Sequence, residues 1–255
     1  MTTTAPARRS TAVDSVAPLT PMAWLRYDLV RRMLPPGVTR VLEVGCGQGA
    51  LAARLAGKFD YQGVEPDQAS WALASQRLAS VGAGEVHNLT FDQLDGEDFD
   101  LVCAFEVLEH IEDDSAAVKD WAGRLSTNGW LMLSVPAYQS RFSAADELVG
   151  HFRRYDPQAL AGLLSNSGFE EITIRHYGVP LGYLLETVRA RISQRRLDRA
   201  PEATRAERTS GSGRLLQPSG VTGFVTRVGT APFRLLQRAF PGKGTGLVVT
   251  ARRSG

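Results

Sequence analysis

From residue 20 onward the chain alternates between two hydrophobic periods. Short apolar runs bounded by glycine or charge give way to longer stretches with apolar residues three and four apart. The short runs predict strands at 40–44, 59–64, 85–90, 99–105 and 129–135. The longer stretches predict helices at 48–56, 67–79 and 114–126. A helix around Met22–Leu34 comes first and stops at Pro35-Pro36-Gly37, as such breakers require. Asp67 and Asp113 or Asp114 are N-cap candidates, and Asn128-Gly129 reads as a helix-end turn. A helix over Pro157–Asn166 and strands over Phe169–His176 and Gly246–Ala251 complete the pattern. Strands joined by helices of this length wind into a parallel sheet through right-handed crossovers, an α/β fold with helices on both faces.

The alternation is interrupted once. Residues 178–244 form an insert before the last strand, with amphipathic patterns over Leu181–Ile192 and Val221–Phe240. Pro, Ser, Gly and Arg dominate 194–220, which predicts a mobile loop. Three parts follow: a disordered start over 1–19, a core made of 20–177 with 245–255, and the insert between them. The opening residues hold no apolar run, so neither a signal peptide nor a membrane span is expected.

Charge adds one point to this picture. The net value of +2 gives no reason to expect nucleic acid, but it conceals an arginine-rich stretch. Arg189, Arg191, Arg195, Arg196, Arg199, Arg205, Arg208 and Arg214 face only Asp198, Glu202 and Glu207 there. With Leu184, Leu185, Val188 and Ile192 beside them, they suit the surface of an anionic membrane. Phe224, Val225, Phe233, Leu235, Leu236 and Phe240, with Arg227, Arg234 and Arg238, repeat the theme. A lid packed over the substrate pocket is the competing reading. Cys46 and Cys103 read as small buried residues rather than a disulfide, and a cytoplasmic protein, peripheral at the inner membrane face, is the expectation.

The chemistry concentrates in VLEVGCGQGA, residues 41–50: a buried strand, a glycine turn and the start of a helix. This is the layout by which α/β sheets hold nucleotides at their carboxyl edge. The next strand ends in Glu65, a carboxylate placed to accept both hydroxyls of a ribose. Gly45-x-Gly47-x-x-Ala50 also satisfies the dinucleotide fingerprint, so an NAD(P) oxidoreductase stays open from the turn alone. Glu43, two residues before the first glycine, suits a ligand bearing an ammonium or sulfonium group; tying down the turn is its other reading.

VLEVGCGQGA, YQGVEPD (61–67), FDLVCAFEVLEHIED (99–113) and NGWLMLSVPA (128–137) together resemble class I S-adenosylmethionine-dependent methyltransferases. The match is similar to the small-molecule group that includes the quinone-biosynthesis O-methyltransferases. The resemblance implies a Rossmann-like seven-stranded sheet of order 3-2-1-4-5-7-6, with Leu247–Ala251 as the antiparallel strand. It implies S-adenosylmethionine as cofactor, wrapped by Gly45, Cys46, Gly47 and Gly49. Glu65 would take the ribose, Pro66 and Asp67 would lie beside the adenine, and Phe105 and Glu106 would flank the sulfonium. Phe91 and Asp92 match a position that contacts adenine. The family's usual short hairpin before the last strand is replaced here by the insert.

His110, in EVLEHI, and His151 are the two general-base candidates, each with a packing role as its alternative. GHFRRYD is similar to a segment of some bacterial members, which makes Arg153, Arg154 and Tyr155 candidates for holding the acceptor. Pairing of the arginines with Asp146, Glu147 or Asp156 is the alternative. No metal is expected, because the four histidines (87, 110, 151, 176) are scattered along the chain. Nucleic acid is disfavoured as acceptor: AFEVLEHI stands where an Asn/Asp-Pro-Pro-aromatic segment would be needed. A small-molecule or lipid- or sugar-linked acceptor, methylated on oxygen, is the reading; a non-catalytic binding protein is kept beside it because of the insert.

Overall fold

A computed structural model describes residues 17–96, 98–197 and 220–255. Seven strands form one sheet: β1 (Arg40–Val44), β2 (Asp60–Val64), β3 (Glu85–His87), β4 (Phe99–Phe105), β5 (Leu125–Pro136), β6 (Phe169–Tyr177) and β7 (Gly246–Arg253). Their order is β3-β2-β1-β4-β5-β7-β6, with β7 antiparallel to both neighbours and the remaining pairs parallel. The sheet order and the antiparallel last strand agree with the expectation from sequence.

Side-chain alternation along the strands divides the core into two layers. Leu42, Val102, Leu131, Leu133 and Val249 face one side, with Trp121, Leu160 and Leu164 packed over them. These come from α4 (Asp114–Gly123) and α6 (Pro157–Asn166). Val41, Leu101, Cys103, Met132 and Val248 face the other side, under α1 (Pro21–Met33), α2 (Ala52–Ala56) and α3 (Gln68–Val81). The starts of α1 and α3 follow from sequence chemistry. Thr20 Oγ1 accepts from Ala23 N–H at 3.2 Å, and Asp67 accepts from Ser70 N–H at 2.9 Å.

Several boundaries differ from those expected. The first crossover helix begins at Ala52 instead of 48, because Gly47 and Gly49 hold positive φ and keep the turn open. β3 is three residues long. The helix after β4 ends at Gly123, and Asn128-Gly129 lies inside β5, where Asn128 has φ 63°. The turn chemistry there serves an irregularity in the β4–β5 pairing and not a helix end. After β5 comes α5 (Ala144–Val149), started by a reciprocal cap between Ser143 and Asp146.

Between β6 and β7 lie α7 (Leu181–Leu197), α8 (Gly220–Gly229) and α9 (Ala231–Leu236). One helix was expected over 221–240; Pro232 instead stands in the first turn of a separate one. The expected disordered start and the centre of the expected loop, with Arg199, Arg205, Arg208 and Arg214, lie outside the described residues apart from their edges.

Candidate functional site at the carboxyl edge of the sheet

β1 and β2 end side by side, and their last residues build the glycine turn. Gly45 and Cys46 N–H groups both donate to the Val64 carbonyl, at 2.9 and 3.2 Å. Glu65, buried, then accepts from Gly47 N–H at 2.8 Å and from Asp67 N–H at 2.9 Å. Its carboxylate therefore sits across the open side of the turn and fixes it. Burial pushes the Glu65 carboxyl up, opposed by those two N–H donors.

The glycines of the turn are required for different reasons. A Cβ on Gly49 would lie 2.7 Å from Ala74 Cα, so α3 excludes any side chain there. A Cβ on Gly47 meets nothing within 4 Å. Gly47, at φ 55°, faces open space beside the Glu65 carboxylate. A turn tied by an acidic side chain and bare on its outer side is a cradle that a Cβ would fill. Its fit to a ribose-bearing ligand is direct: each Glu65 oxygen keeps a lone pair beyond its N–H bond.

Glu43, expected beside the ligand's cationic group, has a protein partner in the structure. It is 2% exposed and accepts from Tyr61 Oη–H at 2.6 Å. Burial pushes its carboxyl up to about 7, opposed by the Tyr61 hydrogen bond and by Arg26. Its hydrogen bond ties β1 to Tyr61 of β2, and the backbone N–H groups of the turn go instead to the Val64 carbonyl and to Glu65.

At the end of β4, Phe105 is buried and Glu106 adopts φ 59°. Glu106 Oε1 accepts from Ser134 Oγ at 2.9 Å and Tyr177 Oη at 3.0 Å, and pairs with Arg26 at 3.3 Å. Burial raises its carboxyl, but Arg26 and the two hydroxyls outweigh it and hold the group below the usual range. Glu106 thus gathers β4, β5, β6 and α1 around a fixed negative charge at the edge. Arg26 and Tyr177 match no motif, and Ser134, although it lies within NGWLMLSVPA, has nothing beside it in sequence that marks its partner; the three come from separate elements.

The rest of EVLEHI forms a short 3-10 turn, Leu108–His110, and meets residues from α5 and beyond. His110 and His151 stand edge to face, ring centroids 4.6 Å apart. His151 Nδ1 is 2.8 Å from Asp146 Oδ1, and its Nε2 is 3.9 Å from Glu109 Oε1. Glu109 is fully buried. The expectation of no metal rested on the separation of the histidines along the chain. Folding reverses that premise for two of the four, because the α5 turn carries His151 back onto the β4 loop. Burial, and then His151, push the His110 imidazole down to about 4. At pH 7 such an imidazole is in its unprotonated, proton-accepting form but holds a proton only weakly.

Arg153, Arg154 and Tyr155 do not present free polar ends to an acceptor. Arg154 makes two hydrogen bonds to Asp146, at 2.8 and 2.9 Å, and also pairs with Glu186 of α7. Arg153 pairs with Asp114 at 2.7 Å, and Tyr155 Oη–H donates to the same carboxylate at 2.9 Å. The expected pairing with Asp146 is displayed by Arg154, whereas Arg153 takes Asp114, a partner outside the expected three. Among the chemistry-bearing residues, sequence reading missed Glu109; its neighbour His110 drew the attention instead.

Comparison with known proteins agrees with this geometry. A family model described as a methyltransferase domain matches residues 21–174, more than half of the 255-residue chain. The chain belongs to that family, and its sheet is the class I methyltransferase sheet. An uncharacterised methyltransferase of Mycobacterium tuberculosis is 36% identical over 110 residues, covering 42% of this chain and 56% of the relative. A ubiquinone biosynthesis O-methyltransferase of Xanthomonas axonopodis is 29% identical over 174 residues, 60% of this chain and 72% of the relative. The match thus spans little more than half of the mycobacterial relative. Among solved structures, an S-adenosylmethionine-dependent methyltransferase from Thermotoga maritima superposes with a TM-score of 0.56 at 18% identity. That alignment covers 95% of this chain and 92% of the other, and carries the likeness of fold.

Proposed function

We propose that this chain is an S-adenosylmethionine-dependent methyltransferase that methylates an oxygen of a small or lipid- or sugar-linked acceptor. The single observation that carries the reading is Glu65 closing a glycine turn whose outer side, at Gly47, is bare. When bound, S-adenosylmethionine supplies a methyl group on a cationic sulfur, ready for displacement. The residues of this chain hold and orient. Glu65 offers the ribose its lone pairs, and Glu106, held ionised by Arg26, places negative charge at the strand-four edge. Orientation of two reactants in one pocket contributes on the order of 7–11 kcal/mol in favourable cases. An oxygen acceptor that is already ionised needs no base beyond that; a neutral hydroxyl does.

The support for a lipid-linked acceptor comes from the insert. Leu184, Val188 and Ile192 lie four residues apart on α7 and are 63%, 48% and 48% exposed. Phe224, Val225 and Leu235 are each more than 60% exposed as well. Such a grouping is an interaction surface, and Arg189, Arg191 and Arg195 beside it favour an anionic one. The arginines of α8, α9 and the 3-10 turn Gln237–Ala239 that follows serve a different purpose from the one expected. Arg227 and Arg234 lie over Trp24, and Arg238 pairs with Asp28 at 2.7 Å, so all three tie the insert to α1.

Incubation with methyl-labelled S-adenosylmethionine and separate lipid and water-soluble extracts tests the reading. Label in a base-stable, solvent-extractable product is expected. No transfer from either extract, together with tight binding of NAD(P), would return the oxidoreductase alternative. For the surface, sedimentation with anionic vesicles should carry the chain down; failure to sediment removes the membrane reading.

A further inference from the structure

We propose that Glu109, His110 and His151 form a binding site for one divalent transition-metal cation at the carboxyl edge of β4. One ligand atom from each residue can be chosen so that all three lie within 4.8 Å of one another. Bonds of about 2.0–2.2 Å place ligand atoms roughly 3–3.6 Å apart, so side-chain movements of about 1 Å close the set around an ion.

Glu109 supplies the first independent reason. It is 0% exposed, and apart from its own backbone N–H neither carboxylate oxygen meets a hydrogen-bond donor. Buried polar groups normally have partners, and a wholly buried carboxylate without one is costly. His151 Nε2, at 3.9 Å, is beyond hydrogen-bond reach. A cation between the two would satisfy both.

The orientation of the imidazoles is the second. Asp146 accepts from His151 Nδ1–H at 2.8 Å, which leaves the Nε2 lone pair directed toward Glu109. His110 has a ring hydrogen bond to the Gly150 backbone. Metal-bound histidines are held in this way, one ring nitrogen on a carboxylate or backbone carbonyl and the other on the ion. Asp146 is itself fixed by Arg154 and by the Ser143 cap, so the outer support is rigid. Two imidazoles and one carboxylate, with remaining positions open, suit Mn²⁺, Fe²⁺, Co²⁺ or Zn²⁺ better than Mg²⁺ or Ca²⁺.

The role assigned to the ion rests on the methyltransferase reading; its binding does not. A cation here would take an acceptor hydroxyl oxygen into an open position and lower its pKa, so that its proton leaves to water. That oxygen then forms the O–CH3 bond as the S–CH3 bond breaks, leaving a neutral thioether. His151, as a ligand, is then not the general base.

Calorimetry with Zn²⁺ and absorption spectroscopy with Co²⁺, on chelator-treated full-length protein without cofactor, test the site. Binding of one ion per chain is expected, with a Co²⁺ spectrum of mixed nitrogen and oxygen ligation. Glu109→Gln, which keeps the shape of the buried side chain, should weaken Zn²⁺ by at least about 100-fold. That exceeds the roughly 10–100-fold loss seen when only a ligand's supporting partner is removed. His151→Gln should do the same, and His87→Gln should change nothing. Wild-type protein that binds neither ion, or retained affinity in both Glu109→Gln and His151→Gln, overturns the proposal. Titration with S-adenosylhomocysteine on the same sample reports separately on the methyltransferase reading.

Discussion

The carboxyl edge of the sheet and the outer face of the insert invert each other's chemistry. At the edge, charged groups are buried: Glu43, Glu65, Glu109, Asp146 and Arg154 are all below 9% exposure. On the insert, large apolar side chains are in solvent: nine of the ten exposed ones among the described residues fall between Leu184 and Phe240. Folding stability alone favours neither arrangement, since buried charge costs desolvation and exposed apolar surface forgoes burial. On the proposed function, the edge holds a polar ligand and the insert meets an apolar surface. They are joined at Glu186 of α7, which pairs with both Arg141 and Arg154.

The largest effect should come from breaking that joint. Arg154→Ala leaves Asp146 buried without its cation, and removal of one partner of a buried pair typically costs about 3–5 kcal/mol. Chemical denaturation should show a loss of that size, with greater proteolysis in α7; a loss below about 1 kcal/mol would make the two regions independent.

Next in size is a pH effect confined to the edge. Glu43 has its carboxyl raised from 4.5 to about 7, so the folded state binds the proton more tightly than the unfolded chain. Its contribution is complete below pH 4.5 and lost as pH rises through 7, on the order of 3 kcal/mol in all. Stability measured from pH 5 to 8 should fall, and Glu43→Gln should flatten that fall. An unchanged slope in the variant would place the titration elsewhere.

Two glycine substitutions separate fold from binding. Gly49→Ala drives a methyl into the α3 backbone and should cost about 1–3 kcal/mol of stability. Gly47→Ala has room within the protein and should cost only about 1 kcal/mol for its positive φ. Its loss should appear instead as at least a tenfold weaker cofactor affinity, equivalent to about 1.4 kcal/mol. Equal cofactor affinity in Gly47→Ala would mean that the bare side of the turn is not where the ligand lies.

The smallest stability effect is expected on the insert. Leu184→Asp and Phe224→Asp touch exposed positions, so unfolding free energy should stay within about 0.5 kcal/mol. Vesicle binding should nevertheless fall. A large loss of stability would show that these side chains are covered in solution.

Local signals in the sequence carried most of the frame. Alternating periods placed the strands, and the glycine turn with Glu65 marked the edge, because both are written in contiguous residues. Contacts between distant segments were not legible in the same way. Nothing near Glu106 announces Arg26, Ser134 or Tyr177, which reach it from α1, β5 and β6. His110 and His151 looked scattered because only the short α5 helix and its Gly150 cap bring them together. Arg154 looked available for an acceptor because Glu186, its second partner, lies in the insert. Asn128-Gly129 was misplaced for the opposite reason: its turn preference is real, but the sheet uses it inside a strand.

Whether Glu65 and the turn it spans grip an adenosyl ligand can be read from one titration. Calorimetry with S-adenosylhomocysteine should give one-to-one binding to the wild-type chain, and no measurable heat with a folded Glu65→Ala variant. A silent wild type, or a variant that binds as tightly as the parent, would contradict the assignment.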